Sequence, residues 1–295
     1  MEERIEGVPK LLPSEIVARF PLGYFLENIA VRSNGTLLVT NMISTIQLIH
    51  DFNAAEAPPE DDEETGIYGS KNHAEAIIEH PKIADLFYAF SGVHGKADTW
   101  AVYSLDFRGF DPSRGAATTM VESSRTYLEQ DGSMDERLGK VTTQPPWPAF
   151  NGLEYFRGQI FGTVTDRGTL VKMQVDETGE YKSGSLEVVV NQFIGDDFAF
   201  NCEGSAYVAT NPAHTVLKFV QIVTGPQKGE RLKILGGLDK KETAGPTALA
   251  FERGEDDSDC IYVVTCGGVV NPTGDNGPGQ ALIAKVRVGV RGEAC

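Results

Sequence analysis

Residues 27–40 read ENIAVRSNGTLLVT. Two runs of aliphatic and β-branched residues flank a polar Ser33-Asn34-Gly35 turn, the pattern of a tight β-hairpin. Working outward, the pattern returns in AEAIIEHPKIADLFYAF (74–90), NGLEYFRGQIFGTV (151–164), DDFAFNCEGSAYVAT (196–210) and TALAFERGEDDSDCIYVVT (247–265). A further strand-like run follows each: TIQLIHDF, TWAVYSLDF, GTLVKMQVD, HTVLKFVQI and ALIAKVRVGV. The first strands carry an apolar–x–apolar triplet, as in Ile29-Ala30-Val31, Phe198-Ala199-Phe200 and Leu249-Ala250-Phe251. Helical periodicity is nearly absent.

The units start at 27, 74, 151, 196 and 247, giving intervals of 47, 77, 45 and 51 residues. A period of roughly 40–50 residues with about four strands per repeat is the signature of a β-propeller blade. The interval of 77 has room for one more unit, with MVESSRTYLEQDG and KVTTQ as its later strands and its opening strand shortened around 107–119. The expectation is a single all-β domain over 1–295, a six-bladed propeller whose third blade is abbreviated. SEIVARF (14–20) is expected to pair with the C-terminal strands and so close the ring without a free edge. The acidic, proline-containing stretch 54–66 and the turn cluster NPTGDNGPGQ (271–280) read as loops outside the repeat.

Composition narrows the function. Lys and Arg number 26 against 42 Asp and Glu, a formal charge of −16 over 295 residues. A nucleic-acid binder needs a basic face, and so does a protein that docks on anionic lipid. No apolar run approaches the ~18–20 residues of a membrane span. The charged, proline-broken start MEERIEGVPKLLP has no secretory h-region, which fits a soluble cytoplasmic protein or a processed secretory form. The expected partner is an apolar small molecule, and the expected state a monomer or weak homodimer. The four cysteines (202, 260, 266, 295) show no metal-site spacing and read as buried or incidental thiols.

In a propeller the first residues of the innermost strands ring one mouth of the axial channel. Those positions here are Glu27, Ala74, Asn151, Asp196 and Thr247. Two carboxylates and a carboxamide in one register are donors that hard divalent cations take. The alternative is that Asn151-Gly152 and Asp196-Asp197 are ordinary turn residues.

The elements ENIAVRSNG, FNGL and GDDFAF resemble the gluconolactonase / senescence-marker-protein / luciferin-regenerating-enzyme family of six-bladed propellers, related to strictosidine synthase. The resemblance runs from about Leu22 to Val288. It implies that Glu27, Asn151 and Asp196 hold a divalent metal, calcium or zinc, with Asp196 as general base. A second Asn, which binds substrate on the family's third blade, has no match here.

LENIAVRSNGTLLVT, GDDFAFNCEGSAYVATNP and GPTALAF look more like a fungal secondary-metabolism branch of that family. Its members include hetero-Diels–Alderases that dehydrate a tropolone-type alcohol to an ortho-quinone methide and steer its cycloaddition onto a humulene-type terpene. On that reading no cofactor is required, and the central pocket must be apolar and aromatic to hold two reactants in near-attack geometry. Glu27, Asp196 and His73 are then the candidate acid–base residues. Tyr24, Phe25, Trp100, Trp147, Phe150, Asn151 and Thr247 are the candidate substrate contacts. The bland alternatives are packing between blades for Trp100 and a solvated turn for His73. His94 and His214 lie in loops that either mouth of the channel would accommodate. No GxSxG, GxGxxG or phosphate loop is present. The sequence therefore carries a pericyclase reading, a cation-dependent lactone-hydrolase reading and a bare binding platform, and fold alone does not choose among them.

Overall fold

The computed structural model describes residues 11–42, 46–49, 73–92, 101–108, 120–124, 150–177, 179–222, 229–274 and 277–293, with backbone alone at 46–49, 73, 92, 101 and 120–124. These residues form an antiparallel all-β propeller. Helix is confined, among the described residues, to two single 3-10 turns at Thr165–Arg167 and Lys241–Thr243.

Strands β2 (Leu26–Val31), β3 (Leu37–Asn41) and β4 (Ile46–Ile49) make a three-stranded sheet in chain order. Four four-stranded blades accompany it. The first comprises β5 (His73–Glu79), β6 (Leu86–Gly92), β7 (Ala101–Asp106) and β8 (Met120–Ser124). The next is β9 (Phe150–Phe156), β10 (Gln159–Val164), β11 (Thr169–Gln174) and β12 (Glu187–Asn191). Then come β13 (Phe198–Phe200), β14 (Ala206–Thr210), β15 (Thr215–Val220) and β16 (Glu230–Gly236). The last blade is β17 (Pro246–Phe251), β18 (Cys260–Thr265) and β19 (Leu282–Arg287), with β1 (Ser14–Arg19) on its outer edge. Ser14 pairs with Val286 and Arg19 with Leu282, so the first segment of the chain covers the edge of the last strand.

One strand departs from the sequence expectation. MVESS, read as part of an abbreviated third blade, is the fourth strand of the blade that opens at His73, with Val102 opposite Ser124 and Leu105 opposite Met120. A short β-branched run signals a strand but not its neighbour. The remainder of the expected third blade, 109–119 and 125–149, lies outside the described residues.

The core sits between sheets. Val31, Leu37 and Val39 of the three-stranded sheet pack with Tyr262, Val264 and Ile283 of the last blade. Ala30 and Leu38 pack with Ile77, Phe87 and Phe107 on the other side. Between the blades of β9 and β13, Phe156 stacks on Phe200 at 4.3 Å, with Phe161 and Phe198 edge-on to Phe200 at 4.8 and 5.7 Å. Each such ring contributes about 1.5–3 kcal/mol by leaving water. Packing on both faces is why strands such as β3 and β14 are buried along their whole length. Inner strands begin where second strands end: Leu26 opposes Asn41, Phe150 opposes Val164, and Pro246 opposes Thr265. One mouth therefore collects both sets of residues.

Candidate functional site

The site is built around Asp196 and Asp197, just before β13. Three backbone hydrogen bonds fasten them: Asp196 N–H to Ala209 O (2.8 Å), Ala209 N–H to Asp197 O (2.9 Å), and Asp197 N–H to Thr247 O (2.9 Å). The last of these crosses from one blade to the next. Thr163 donates its hydroxyl to Asp196 O at 2.5 Å and accepts the Gly152 N–H at 2.9 Å, which ties in the blade on the other side.

Asn151, on β9, donates through Nδ2 to Asp196 Oδ1 at 2.6 Å and to Thr165 Oγ1 at 3.2 Å. Its neighbour Gly152 is not a turn residue. A Cβ there would stand 2.7 Å from Asp197 Cα and collide with Asp197 Oδ1, so glycine is what lets the two blades approach. Asn28, on β2, donates through Nδ2 to Asp197 Oδ2 at 2.5 Å. Asn211, in the loop after β14, stands beside Asp196 and favours its anion. Asn211 is only 6 % exposed, and its Oδ1 has no hydrogen-bond partner.

The electrostatics are one-sided. Burial, then the charges of Asp196, Glu75 and Asp197, push Glu27 well above the usual carboxyl range. Burial and the Asp197 charge raise Asp196, against the hydrogen bonds from Asn211 and Asn151 that favour its anion. Asp197 rises to about 6, chiefly by burial, opposed by donors from the Phe198 backbone and the Asn28 side chain. Among the described residues no lysine or arginine is an influence on any of the three. Cys266, at the end of β18, is a buried thiol pushed up to about 11 by burial, with smaller contributions from Glu27 and Asp196.

Of the residues singled out in the sequence, Glu27, Asn151 and Asp196 fall within electrostatic or hydrogen-bond reach of one another. Thr247 is fully buried, and its hydroxyl is spent between blades on Leu26 O at 2.8 Å; it is a joint rather than a substrate contact. Tyr24 packs on Phe20 with ring centroids 5.7 Å apart, against the core. Phe150 lays its ring over Gly162 in its own sheet. Phe25 is partly buried and bonds by its backbone to Asn41 Oδ1 (3.3 Å) and Met42 N–H (2.9 Å). His73 opens β5 opposite Gly92, with only its backbone described. Trp100, Trp147 and His94 lie outside the described residues. His214 is buried; its Nδ1 accepts the Gly245 N–H at 2.8 Å and burial lowers its pKa, so it is a neutral packing residue.

Asn28 and Asn211 were missed, while Cys266 is the buried thiol the sequence suggested. Asn211 and Cys266 stand where a second strand ends at the mouth, a position the repeat defines as clearly as the strand starts.

Among the described residues, no group of three or more His, Cys, Asp or Glu side chains is arranged to hold a metal ion. The donors singled out in the sequence, Glu27, Asp196 and the Asn151 carboxamide, are all oxygen. That set suits a hard cation such as calcium and lacks the imidazole or thiolate that zinc favours. Among the described residues no helix is long and apolar enough to cross a membrane.

No protein-family model matches the chain, and no curated protein matches it in sequence. Solved structures share its fold. The aldose sugar dehydrogenase of Streptomyces coelicolor, in its PQQ-bound form, has 14 % identity and a TM-score of 0.56, covering 95 % of this chain and 99 % of that one. A luciferin-regenerating enzyme matches at 14 % identity and a TM-score of 0.47, over 92 % of this chain and 81 % of its own. Regucalcin, a calcium-binding protein of Agrobacterium tumefaciens, matches at 14 % and 0.44, over 93 % and 79 %. At this identity the likeness to the dehydrogenase establishes the propeller fold and nothing about chemistry.

Proposed function

We propose that this protein is an enzyme that hydrolyses small lactones, assisted by a hard divalent cation, at the mouth of the propeller. The observation that carries this reading is Asp196: the Asn151 carboxamide grips it beside Glu27, and among the described residues no basic side chain compensates either acid. Uncompensated charges in a buried site are costly and need a counter-ion or a proton. Glu27, Asp196 and the Asn151 carboxamide would hold the cation, which supplies a Lewis acid for the lactone carbonyl. Asp196, fixed in one orientation, accepts the proton of the attacking water. That proton passes to the ring oxygen as the acyl C–O bond opens, and a hydroxy acid leaves. The test is hydrolysis of a lactone panel with and without EDTA, using wild type and Asp196→Asn.

A specific observation favours a second reading, the hetero-Diels–Alderase. With no cation present, burial and mutual repulsion favour the protonated forms of Glu27 and Asp196. A neutral carboxylic acid assists departure of a hydroxyl, as formation of a quinone methide from a tropolone-type alcohol requires. This reading comes second because the described aromatic candidates Tyr24 and Phe150 pack within the fold. Six blades, the third abbreviated, complete the architecture in either reading. EDTA-insensitive change in the cycloadduct ratio from a tropolone alcohol and humulene would reverse the order.

A further inference from the structure

We infer that Asn211 is a fourth oxygen ligand of the divalent-cation site, beyond Glu27, Asn151 and Asp196. The inference rests on the proposed cation dependence and adds a residue outside the repeat register of the inner strands.

Asn211 follows β14, directly after the strand whose residue Ala209 pairs its backbone with both Asp196 and Asp197. Its side chain stands against Asp196 and favours that carboxyl group's anion, as an N–H turned toward it does. Its Oδ1 is buried without a partner, in a residue 6 % exposed. A buried acceptor left empty costs about 1–3 kcal/mol, so native folds retain one where a ligand or ion completes it. The surroundings decide which. A carboxyl group adjoins it in Asp196, and the Cys266 thiol, which borders the same face of Gly245, makes no hydrogen bond to it. A buried acceptor beside a carboxyl group and without a donor is satisfied by a cation.

The chain is also shaped to leave that oxygen its place. Gly245 has φ +64°, and a Cβ on it would stand 3.2 Å from Asn211 Oδ1 and collide with Cys266 Sγ. His214, in the same loop as Asn211, accepts the Gly245 N–H at 2.8 Å and so clamps this glycine against the loop.

The experiment is calorimetric titration of calcium into chelator-stripped protein, with terbium luminescence lifetimes in H2O and D2O to count bound waters. Wild type, Asn211→Ala and Asn211→Asp are compared, with circular dichroism confirming the fold of each. Asn211→Ala should bind at least about tenfold more weakly and gain one bound water on terbium. Asn211→Asp keeps the oxygen but loses the N–H donor, so it should recover most of the affinity and return the water count to the wild-type value. If Asn211→Ala does not fold, the water count of Asn211→Asp against wild type still decides. A residue that merely positions Asp196 would leave Asp as weak as Ala, with an extra water, and that result overturns the inference. Wild-type affinity in Asn211→Ala overturns it too while leaving the cation site standing. No binding by wild type overturns both.

Discussion

Asn151 Nδ2 lies 2.6 Å from Asp196 Oδ1, a side-chain hydrogen bond between residues 45 positions apart on adjacent blades. The separation equals the interval between two repeat units, so the bond is a direct product of the repeat. The Asn151 N–H favours the anion of Asp196 against the burial and the Asp197 charge that raise its pKa, and the proposed cation would complete that anion. Asp196→Asn removes that anion and sets amide against amide. Turnover should fall about 10²–10⁴-fold, the range of a lost general base, with the fold unchanged by circular dichroism. Near-normal turnover would remove Asp196 from the chemistry.

In cation-free protein the buried acids make stability depend on pH in a defined direction. Asp197 titrates at about 6 in the fold against 3.8 as an ordinary side chain. Between those values the folded state binds more protons than the unfolded one, so stability falls as pH rises through the folded pKa. Glu27 and Asp196 are shifted the same way and add to the trend. Asp106, lowered to about 2 by Arg108, acts only in stronger acid and leaves this window alone. In EDTA, melting should come several degrees higher at pH 5 than at pH 7.5, and saturating calcium should shrink the difference. A melting temperature that climbs from pH 5 to pH 7.5 in EDTA would contradict the buried-acid picture.

Gly152→Ala tests the close approach between blades. The added methyl meets Asp197 Cα at 2.7 Å, and backbone on both sides leaves nothing flexible to yield. Overpacking of this kind costs about 1–3 kcal/mol, and here it also displaces the carboxylates. Denaturant unfolding should show the loss, and calcium affinity should drop with it. Unchanged values in both would mean the blades are free to separate.

Thr247 separates joint from ligand. Its hydroxyl donates to Leu26 O at 2.8 Å. Thr247→Val leaves that carbonyl unmatched, at a cost of about 1–3 kcal/mol. Stability should fall while KM for a hydrolysed lactone stays within about twofold. A large rise in KM at unchanged stability would restore Thr247 to the binding surface.

The repeat made the inner strands readable. ENIAV, FNGL and DDFAF each place a polar residue at the start of an inner strand, and the convergence of Glu27, Asn151 and Asp196 follows from their shared register. What the repeat did not carry was partner choice. MVESS is strand-like in composition, yet only its pairing with β7 shows which blade it completes. Asn211 and Asn28 escaped because loop and strand asparagines are common, and their value lies in which acid they touch. Asn151-Gly152 reads as a turn from dipeptide chemistry; the strand conformation wins because Gly152 is there for what crosses above it.

The most direct measurement is the initial rate of lactone ring opening as a function of free calcium, in chelator-stripped wild type and in Glu27→Gln. The account predicts no turnover without cation, a saturable rise in wild type, and a rise displaced to at least about tenfold higher calcium in Glu27→Gln. Ring opening at full rate in EDTA, or no ring opening at any calcium concentration across the panel, would contradict it.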